Sequence, residues 1–308
     1  MRCYRAPTKV ILVGEHFVVR GVPGVAAAVG LWSYACAEAS EPPGFIEAPD
    51  LGASCRVGSC RGLEGLEEIV RAVGPVRLRV WSEAPPGAGL GSSGSVSAAA
   101  AAAVLAARGR RVDHEEVERL AWLAERVHHG RPSGIDHTTA IVGGFVVFEA
   151  RGVYWRLEAP RLRLVVGDTG VPRSTRVAVE RVLSRYARHR GGMGLVYAAA
   201  ARLVEEAVDA LRRRDLATLG ELMDVFHGLL YALGVSTPEI ERLVWTARRA
   251  GALGAKLTGA GLGGIVVALV EDEETGERVA EAMRGAGARW ARVVEAGVEG
   301  LSEARVIA

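Results

Sequence analysis

The chain has 308 residues, a formal net charge of +2 and a charged fraction of 24%. Its length predicts about two domains with a substantial buried core, and its hydrophobic fraction of 49% is ordinary for a globular enzyme. Because arginines and acidic residues are interspersed, the charge pattern argues against binding to nucleic acid or to an anionic membrane. The apolar stretch 21–37 is too short and too interrupted to span a bilayer, and no secretory signal opens the chain, so we expect a cytoplasmic protein.

The first half of the chain mixes strand and helix signals. Strand patterns are predicted at 2–13, 24–39 and 75–83, with a loop or irregular strand at 41–62 between them. Helical patterns are predicted at Glu64–Val73, about 91–108, 117–127 and Ser133–Ile141, the last restarted by Pro132. Asp113-x-x-Glu116 is typical of a capped helix start. Gly143–Glu149 and Gly152–Leu157 are predicted to pair as a hairpin.

Around Pro160 the pattern changes. A buried strand at Leu162–Val166 is followed by long helices to about residue 250, and the end of the chain predicts a strand-loop-strand at 254–271, a helix at 275–286 and a strand at 290–296. Because the helices cluster rather than alternating strictly with strands, we expect an α+β fold. The predicted domains are residues 1–160 and 161–308.

The cysteines Cys3, Cys36, Cys55 and Cys60 lack the C-x-x-C spacing that is typical of metal sites. Buried thiols are therefore expected. Asparagine and glutamine are absent and arginine is abundant, which is typical of heat-adapted proteins, although a GC-rich genome produces the same composition. In a heat-adapted protein a Cys55–Cys60 disulfide is the alternative.

The segment 85–93 reads Pro-Pro-Gly-Ala-Gly-Leu-Gly-Ser-Ser and lies between a predicted strand and the alanine-rich helix. Gly87, Gly89 and Gly91 lack Cβ atoms, so their backbone N–H groups can approach an anion closely. The helix start adds unpaired N–H groups at the same place, and Ser92 and Ser93 can cap the helix or ligate a metal ion. This pattern predicts a phosphate loop that is not a Walker P-loop. The alternative is an ordinary glycine turn.

Lysine occurs only at Lys9 and Lys256, although the chain has 38 lysines and arginines in total. Lys9 precedes Gly14-Glu15-His16, and Lys256 begins a second glycine loop, Lys256-Leu257-Thr258-Gly259-Ala260-Gly261-Leu262-Gly263-Gly264. A compact ammonium group suits phosphate chemistry in a way that a planar guanidinium does not. This placement favours phosphate chemistry, but chance can also place two lysines beside glycine turns.

Two carboxylates complete the requirements of phosphoryl transfer, which needs phosphate donors, oxygen ligands for Mg²⁺ and a group that accepts the hydroxyl proton. Glu125 flanks the apolar stripe of its helix, and Asp136 follows a Pro-Ser-Gly helix start. Asp136 alone is as well explained as a helix-start carboxylate. His128, His129 and His137 lack zinc spacing on one face, so we expect them to be surface or core imidazoles.

These stretches resemble the GHMP kinases, and within them the mevalonate kinase family. Residues 6–21, 81–93 and 256–264 are similar to the three family motifs, and residues 130–136 and 168–176 are similar to further segments of that family. The resemblance implies an N-terminal domain like ribosomal protein S5 domain 2, a ferredoxin-like C-terminal domain with added helices, and an active site between them. It implies ATP-dependent phosphorylation of the C5 hydroxyl of mevalonate with Mg²⁺ in isoprenoid biosynthesis, with a homodimer as one option for assembly.

The resemblance also implies roles for single residues. Asp136 would be the catalytic base with Lys9 as its electrostatic partner, and Ser93 and Glu125 would hold Mg²⁺. Mevalonate would contact Glu15 and His16 together with Lys9 and Asp136. The residues that would contact ATP are Ser82, Pro86, Gly87, Ala88, Gly89, Leu90, Gly91, Ser92 and Ser93. The third motif contributes Gly259, Gly261 and Gly263.

Some residues depart from the family pattern: Thr8 lies where glycine is common, and Phe17 and Arg20 replace smaller or aromatic residues. The alternatives are another GHMP kinase acting on phosphomevalonate, homoserine or a sugar, and a non-catalytic ligand sensor on the same fold. Lys9, Glu125 and Asp136 argue against the sensor, because a protein that only binds a ligand does not need them.

Overall fold

The computed structural model describes residues 1–129, 133–149 and 153–305. In this part of the chain twelve strands form one sheet, and helices cover it. Pro132, predicted to restart a helix, and Gly152, predicted to begin the second strand of a hairpin, lie outside the described residues. The side chains of His128 and His129 also lie outside them. The expected α+β class is confirmed.

The N-terminal half contributes seven strands to this sheet. They are β1 (Arg2–Val13), β2 (Gly24–Ala39), β3 (Phe45–Ala48), β4 (Ala53–Arg56), β5 (Val76–Ser82), β6 (Phe145–Phe148) and β7 (Tyr154–Leu157). The long strand β2 is central, because it pairs antiparallel with β1, β5 and β6. The segment 41–62, predicted as loop or irregular strand, contains β3 and β4 paired as a hairpin, and β3 also pairs parallel with β5.

The described residues of this half form the α-helices α1 (Glu64–Val73), α2 (Ser92–Ala107), α3 (His114–His129) and α4 (Ile135–Val142). The alanine-rich helix α2 is buried on all sides, between β1 and β2 on one face and α3 and α4 on the other. Its small side chains allow neighbouring backbones to approach closely, so it holds its N-terminus in a defined place. Asp113 caps α3 as predicted, accepting a hydrogen bond from the Glu116 backbone N–H at 3.0 Å.

The C-terminal half contains β8 (Leu162–Asp168), α5 (Thr175–Arg188), α6 (Arg190–Arg213), α7 (Leu216–Leu233), α8 (Pro238–Arg249), β9 (Gly254–Thr258), β10 (Ile265–Val270), α9 (Glu273–Gly285), β11 (Trp290–Ala296) and β12 (Ser302–Glu303). Its main strands follow the order β11-β8-β10-β9 and are antiparallel. With helices between β8 and β9 and between β10 and β11, this is the ferredoxin-like order. The sheet continues into the N-terminal half where Ala296 of β11 pairs with Val29 of β2. The boundary after residue 160 stays a prediction.

Helix α7 is, among the described residues, the one helix long and apolar enough by composition to cross a membrane. Its Leu219, Met223, Phe226 and Leu230 are at most 1% exposed and belong to the main hydrophobic core. It therefore packs as a core helix. A buried core helix can be as long and as apolar as a helix that crosses a membrane.

The expectation of buried thiols is wrong, because all four cysteines form disulfides. Cys3 and Cys36 are direct cross-strand partners in β1 and β2 and are linked. Cys55 and Cys60 form the second disulfide, which the sequence left as an alternative. Spacing along the chain could not indicate the first pair, because it depends on the register of two strands.

Candidate active site

The glycine loop 85–91 lies against the side chains of β1 and α4. Gly91 is the N-cap of α2 with a φ of 72°, and no side chain caps the helix there. A Cβ atom on Gly91 would lie 3.1 Å from Cε of Lys9 and 3.2 Å from Cγ of Asp136. Glycine is thus required both by the backbone conformation and by the space. The helix start leaves N–H groups for an anion directly beside Lys9 and Asp136.

Lys9 and Asp136 form an ion pair at this point. Nζ of Lys9 lies 3.1 Å from Oδ1 of Asp136; the lysine side chain is 6% exposed and the aspartate side chain 34%. The Lys9 backbone N–H also donates to the Leu90 carbonyl at 2.8 Å, which ties β1 to the glycine loop. Gly94 of α2 allows the close approach of α4, since a Cβ there would lie 2.7 Å from the backbone nitrogen of His137. The structure therefore brings a cation and a partly exposed carboxylate to the start of α2.

Arg173 is a site residue that sequence reasoning missed. Its guanidinium passes between the two glycine loops, where a Cβ on Gly89 would clash with it and a Cβ on Gly264 would lie 2.7 Å from its Cδ. Burial lowers the pKa of Arg173, while the nearby carboxylates of Asp136 and Asp168 act in the opposite direction. Nε is buried and has no hydrogen-bond partner among the described residues. This donor is therefore available to an anionic ligand.

Lys256 has no exposed surface. Its Nζ donates to a carboxylate oxygen of Glu15, to the Leu257 carbonyl at 2.7 Å and to the Ile11 carbonyl at 3.4 Å. Burial raises the pKa of Glu15 and lowers that of Lys256, and the attraction between them opposes both shifts. The two lysines of the chain thus differ: Lys9 contacts the site, whereas Lys256 supports it from within the fold.

The turn that contains Glu15 is also held by its neighbour. His16 has a φ of 62°, which is uncommon for a residue other than glycine. Its Nε2 lies 2.8 Å from the Ala260 carbonyl, so this nitrogen donates, and burial lowers its pKa. Glu15 and His16 are 1% and 8% exposed. The first motif and the second glycine loop are therefore joined by the contact of Glu15 with the Lys256 side chain and of His16 with the Ala260 carbonyl. Contact of Glu15 or His16 with a substrate stays a prediction.

Glu125 and Ser93, the predicted metal ligands, lie in different surroundings. Ser93 is half-buried in the first turn of α2. Glu125 is 2% exposed, and its Oε2 lies 2.5 Å from Nδ1 of His137. Within the described residues, groups of three or more histidine, cysteine or acidic side chains that could form a metal cage do not occur.

A cavity of about 210 Å³ opens beside the start of α2. Of the residues predicted to bind ATP, Ser82, Pro86, Gly87, Ser92 and Ser93 line this cavity, whereas Ala88, Gly89, Leu90 and Gly91 do not. The rest of its wall is largely apolar and includes Leu63, Leu66, Val80, Trp81 and Val96. Such a wall suits the aromatic ring of a nucleotide base. Leu63 and Leu66 were not predicted, because nothing local marks the start of α1 as a binding surface.

Phe17 and Arg20, which depart from the family pattern, connect the first motif to the C-terminal helices. Phe17 has no exposed surface and makes edge contacts with Tyr197 and Phe226 at ring distances of 4.8 and 5.9 Å. The guanidinium of Arg20 lies 3.8 Å from the centre of the Tyr186 ring. These substitutions are therefore accommodated by aromatic packing.

Comparisons with known proteins agree with this geometry. The sequence models "GHMP kinases N terminal domain" and "GHMP kinases C terminal" match residues 61–144 and 207–289. The mevalonate kinase of Aeropyrum pernix is 38% identical over 289 residues, covering 87% of this chain and 88% of that protein. That of Pyrococcus horikoshii is 38% identical over 311 residues, covering 92% of each. The chain belongs to the mevalonate kinase family of the GHMP kinases.

Solved structures of a mevalonate kinase and of a phosphomevalonate kinase share the fold. The crystal structure of L. major mevalonate kinase in complex with R-mevalonate has a TM-score of 0.86 and 27% identity and covers 96% of both chains. S. pneumoniae phosphomevalonate kinase in complex with phosphomevalonate and AMPPNP has a TM-score of 0.79 at 18% identity, covering 95% of this chain and 100% of that one, which shows the fold alone.

Proposed function

We propose that this chain transfers the γ-phosphoryl group of ATP to the C5 hydroxyl of mevalonate, giving 5-phosphomevalonate and ADP in isoprenoid biosynthesis. The observation that carries the proposal is the Lys9–Asp136 pair at the glycine-capped start of α2. The close relatives named mevalonate kinase support the choice of acceptor. A cytoplasmic location and assembly as a homodimer are part of the same proposal, and sedimentation of the purified protein tests the dimer.

In this proposal Asp136 accepts the proton of the acceptor hydroxyl. The hydroxyl oxygen attacks the γ-phosphorus, the bond to the β–γ bridging oxygen breaks, ADP leaves, and the hydroxyl proton passes to Asp136. Lys9 stabilises the negative charge of this carboxylate and of the group in transfer. Arg173 supplies a second cation, which is half-buried and whose Nε has no hydrogen-bond partner among the described residues. The backbone N–H groups from Gly87 to Ser93 hold the phosphates without requiring a Walker lysine.

Mg²⁺ fits the donor set at this site. Ser93 and Glu125 offer a hydroxyl and a carboxylate, and Mg²⁺ prefers oxygen ligands while keeping several waters and substrate phosphates. A dedicated protein cage is therefore not needed. Bound Mg²⁺ would neutralise charge on the phosphates of ATP. The acceptor would lie against Glu15 and His16, whose turn the Lys256 contacts hold in place.

An ADP-release assay that offers mevalonate, phosphomevalonate, homoserine and galactose in parallel tests the proposal. We expect turnover with mevalonate alone. Turnover with another acceptor instead would assign the chain to a different GHMP activity. Nucleotide binding without turnover of any acceptor would favour the sensor.

A further inference from the structure

Two side-chain contacts join α4 to α3 next to the proposed active site. His137 contacts Glu125 at 2.5 Å between Nδ1 and Oε2, and the next residue, Thr138, donates from its hydroxyl to Glu118 at 2.9 Å. The side chains of His137 and Glu125 are 2% and 3% exposed. The reaction described above uses Glu125 but gives no task to His137.

The direction of the His137 contact follows from its chemistry. An ionised carboxylate only accepts hydrogen bonds, so Nδ1 of His137 carries the hydrogen and donates to Oε2 of Glu125. Among the described residues, the hydrogen bond to the Glu125 carboxylate comes from His137 and involves Oε2. A carboxylate this deeply buried would be strongly destabilised without a donor. The histidine thus fixes the orientation of the Glu125 carboxylate.

We infer that His137 is a positioning residue for Mg²⁺: it holds Oε2 of Glu125 and leaves Oε1 for the cation. The inference rests on the proposed function, which makes Glu125 a metal ligand. Metal-binding side chains commonly depend on such hydrogen-bonded neighbours, and loss of the neighbour typically lowers metal affinity about 10- to 100-fold.

The position of His137 on α4 strengthens the inference. Successive residues of a helix point about 100° apart, so Asp136, whose side chain is 34% exposed, turns toward the cleft while His137 turns toward α3. One turn of α4 therefore carries both the proton acceptor and the donor that orients Glu125. Because Gly94 has no side chain, α2 packs directly against this turn of α4. This packing couples the positions of the glycine loop, Asp136 and Glu125.

Binding of Mn²⁺, followed by electron paramagnetic resonance of the free ion, tests the inference without requiring turnover. The intact protein is kept in excess over AMPPNP so that nearly all nucleotide is bound. His137→Phe keeps the ring but has no donor, and we expect it to weaken Mn²⁺ binding at least about 10-fold. His137→Asn restores a donor close to Nδ1 and should recover most of the affinity. Thr138→Val removes the neighbouring α4–α3 contact and should leave Mn²⁺ binding unchanged.

Glu125→Gln separates failure of this inference from failure of the proposed function. If Glu125→Gln loses Mn²⁺ affinity while His137→Phe binds like the wild type, the positioning role is refuted and the ligand remains. If Glu125→Gln also binds like the wild type, the ligand assignment fails and the inference with it. If His137→Phe does not fold, His137→Leu serves as a second variant without a donor. Wild-type Mn²⁺ affinity in a folded His137→Phe or His137→Leu protein overturns the inference.

Discussion

Gly91→Ala is expected to damage turnover far more than it damages stability. The new methyl group would lie 3.1 Å from Cε and Cγ of Lys9 and 3.2 Å from Cγ of Asp136, whereas carbon atoms pack best at about 3.5–4.0 Å. Lys9 and Asp136 must therefore shift by a few tenths of an ångström. Because displacements on the ångström scale cost about 100-fold in rate, we expect kcat to fall about 10- to 100-fold.

Gly109→Ala is the matched control, because it lies just beyond the other end of α2. Its φ is 68°, against 72° for Gly91, but a Cβ there meets nothing within 4 Å. Both variants carry about 1–2 kcal/mol of left-handed backbone strain, which denaturant unfolding measures. A comparison of kcat between the two variants then measures the effect of the contacts with Lys9 and Asp136, which only Gly91→Ala makes. If Gly91→Ala turns over as fast as Gly109→Ala, the close packing of the loop against Lys9 and Asp136 has no catalytic importance.

Three further predictions concern single groups. Asp136→Asn should lower kcat by about 100-fold or more while calorimetry shows nearly unchanged ATP affinity, and normal turnover would remove Asp136 as the base. Lys256→Met leaves a buried charge on Glu15 and should cost about 3–5 kcal/mol of unfolding free energy, part of which Glu15→Gln should restore in the double variant; additive losses would contradict their pairing. Burial lowers the pKa of His227 from 6.5 to about 4, so the stability it contributes is present above pH 6.5 and is lost as pH falls toward 4, by at most about 3 kcal/mol. Nε2 of His227 lies 3.0 Å from Oε1 of Glu241. His227→Gln should flatten this part of the stability profile, and an unchanged slope would contradict a histidine held neutral in this contact.

The glycine loop and α2 could be predicted because their signals are local. Three glycines, two serines and a run of alanines predict a loop followed by a helix at about 91–108, and the structure has that helix at Ser92–Ala107. The Asp113 cap of α3 could be predicted for the same reason. These elements depend on propensity and on turn chemistry within a few residues.

The contacts that complete the site are not local, and sequence reasoning reached them only in part. Arg173 lies in the segment 168–176 that resembles the family, but no role for it was predicted. Its place in the site comes from two glycine loops that meet around it. Lys256 looked like a second phosphate lysine, yet both faces of β9 are buried and its partner Glu15 lies 241 residues away. His137 was expected at the surface or in the core, and the core is where it lies, but its carboxylate partner became visible only in the packed helices.

A crystal structure with AMPPNP and mevalonate would show whether the glycine loop, Lys9 and Asp136 act together on the substrates. We expect phosphate oxygens on the backbone N–H groups of the glycine loop, with the terminal phosphate beside Lys9 and the C5 oxygen about 3 Å from a carboxylate oxygen of Asp136. Phosphates bound away from the start of α2, or an Asp136 carboxylate turned away from the C5 oxygen, would contradict this expectation.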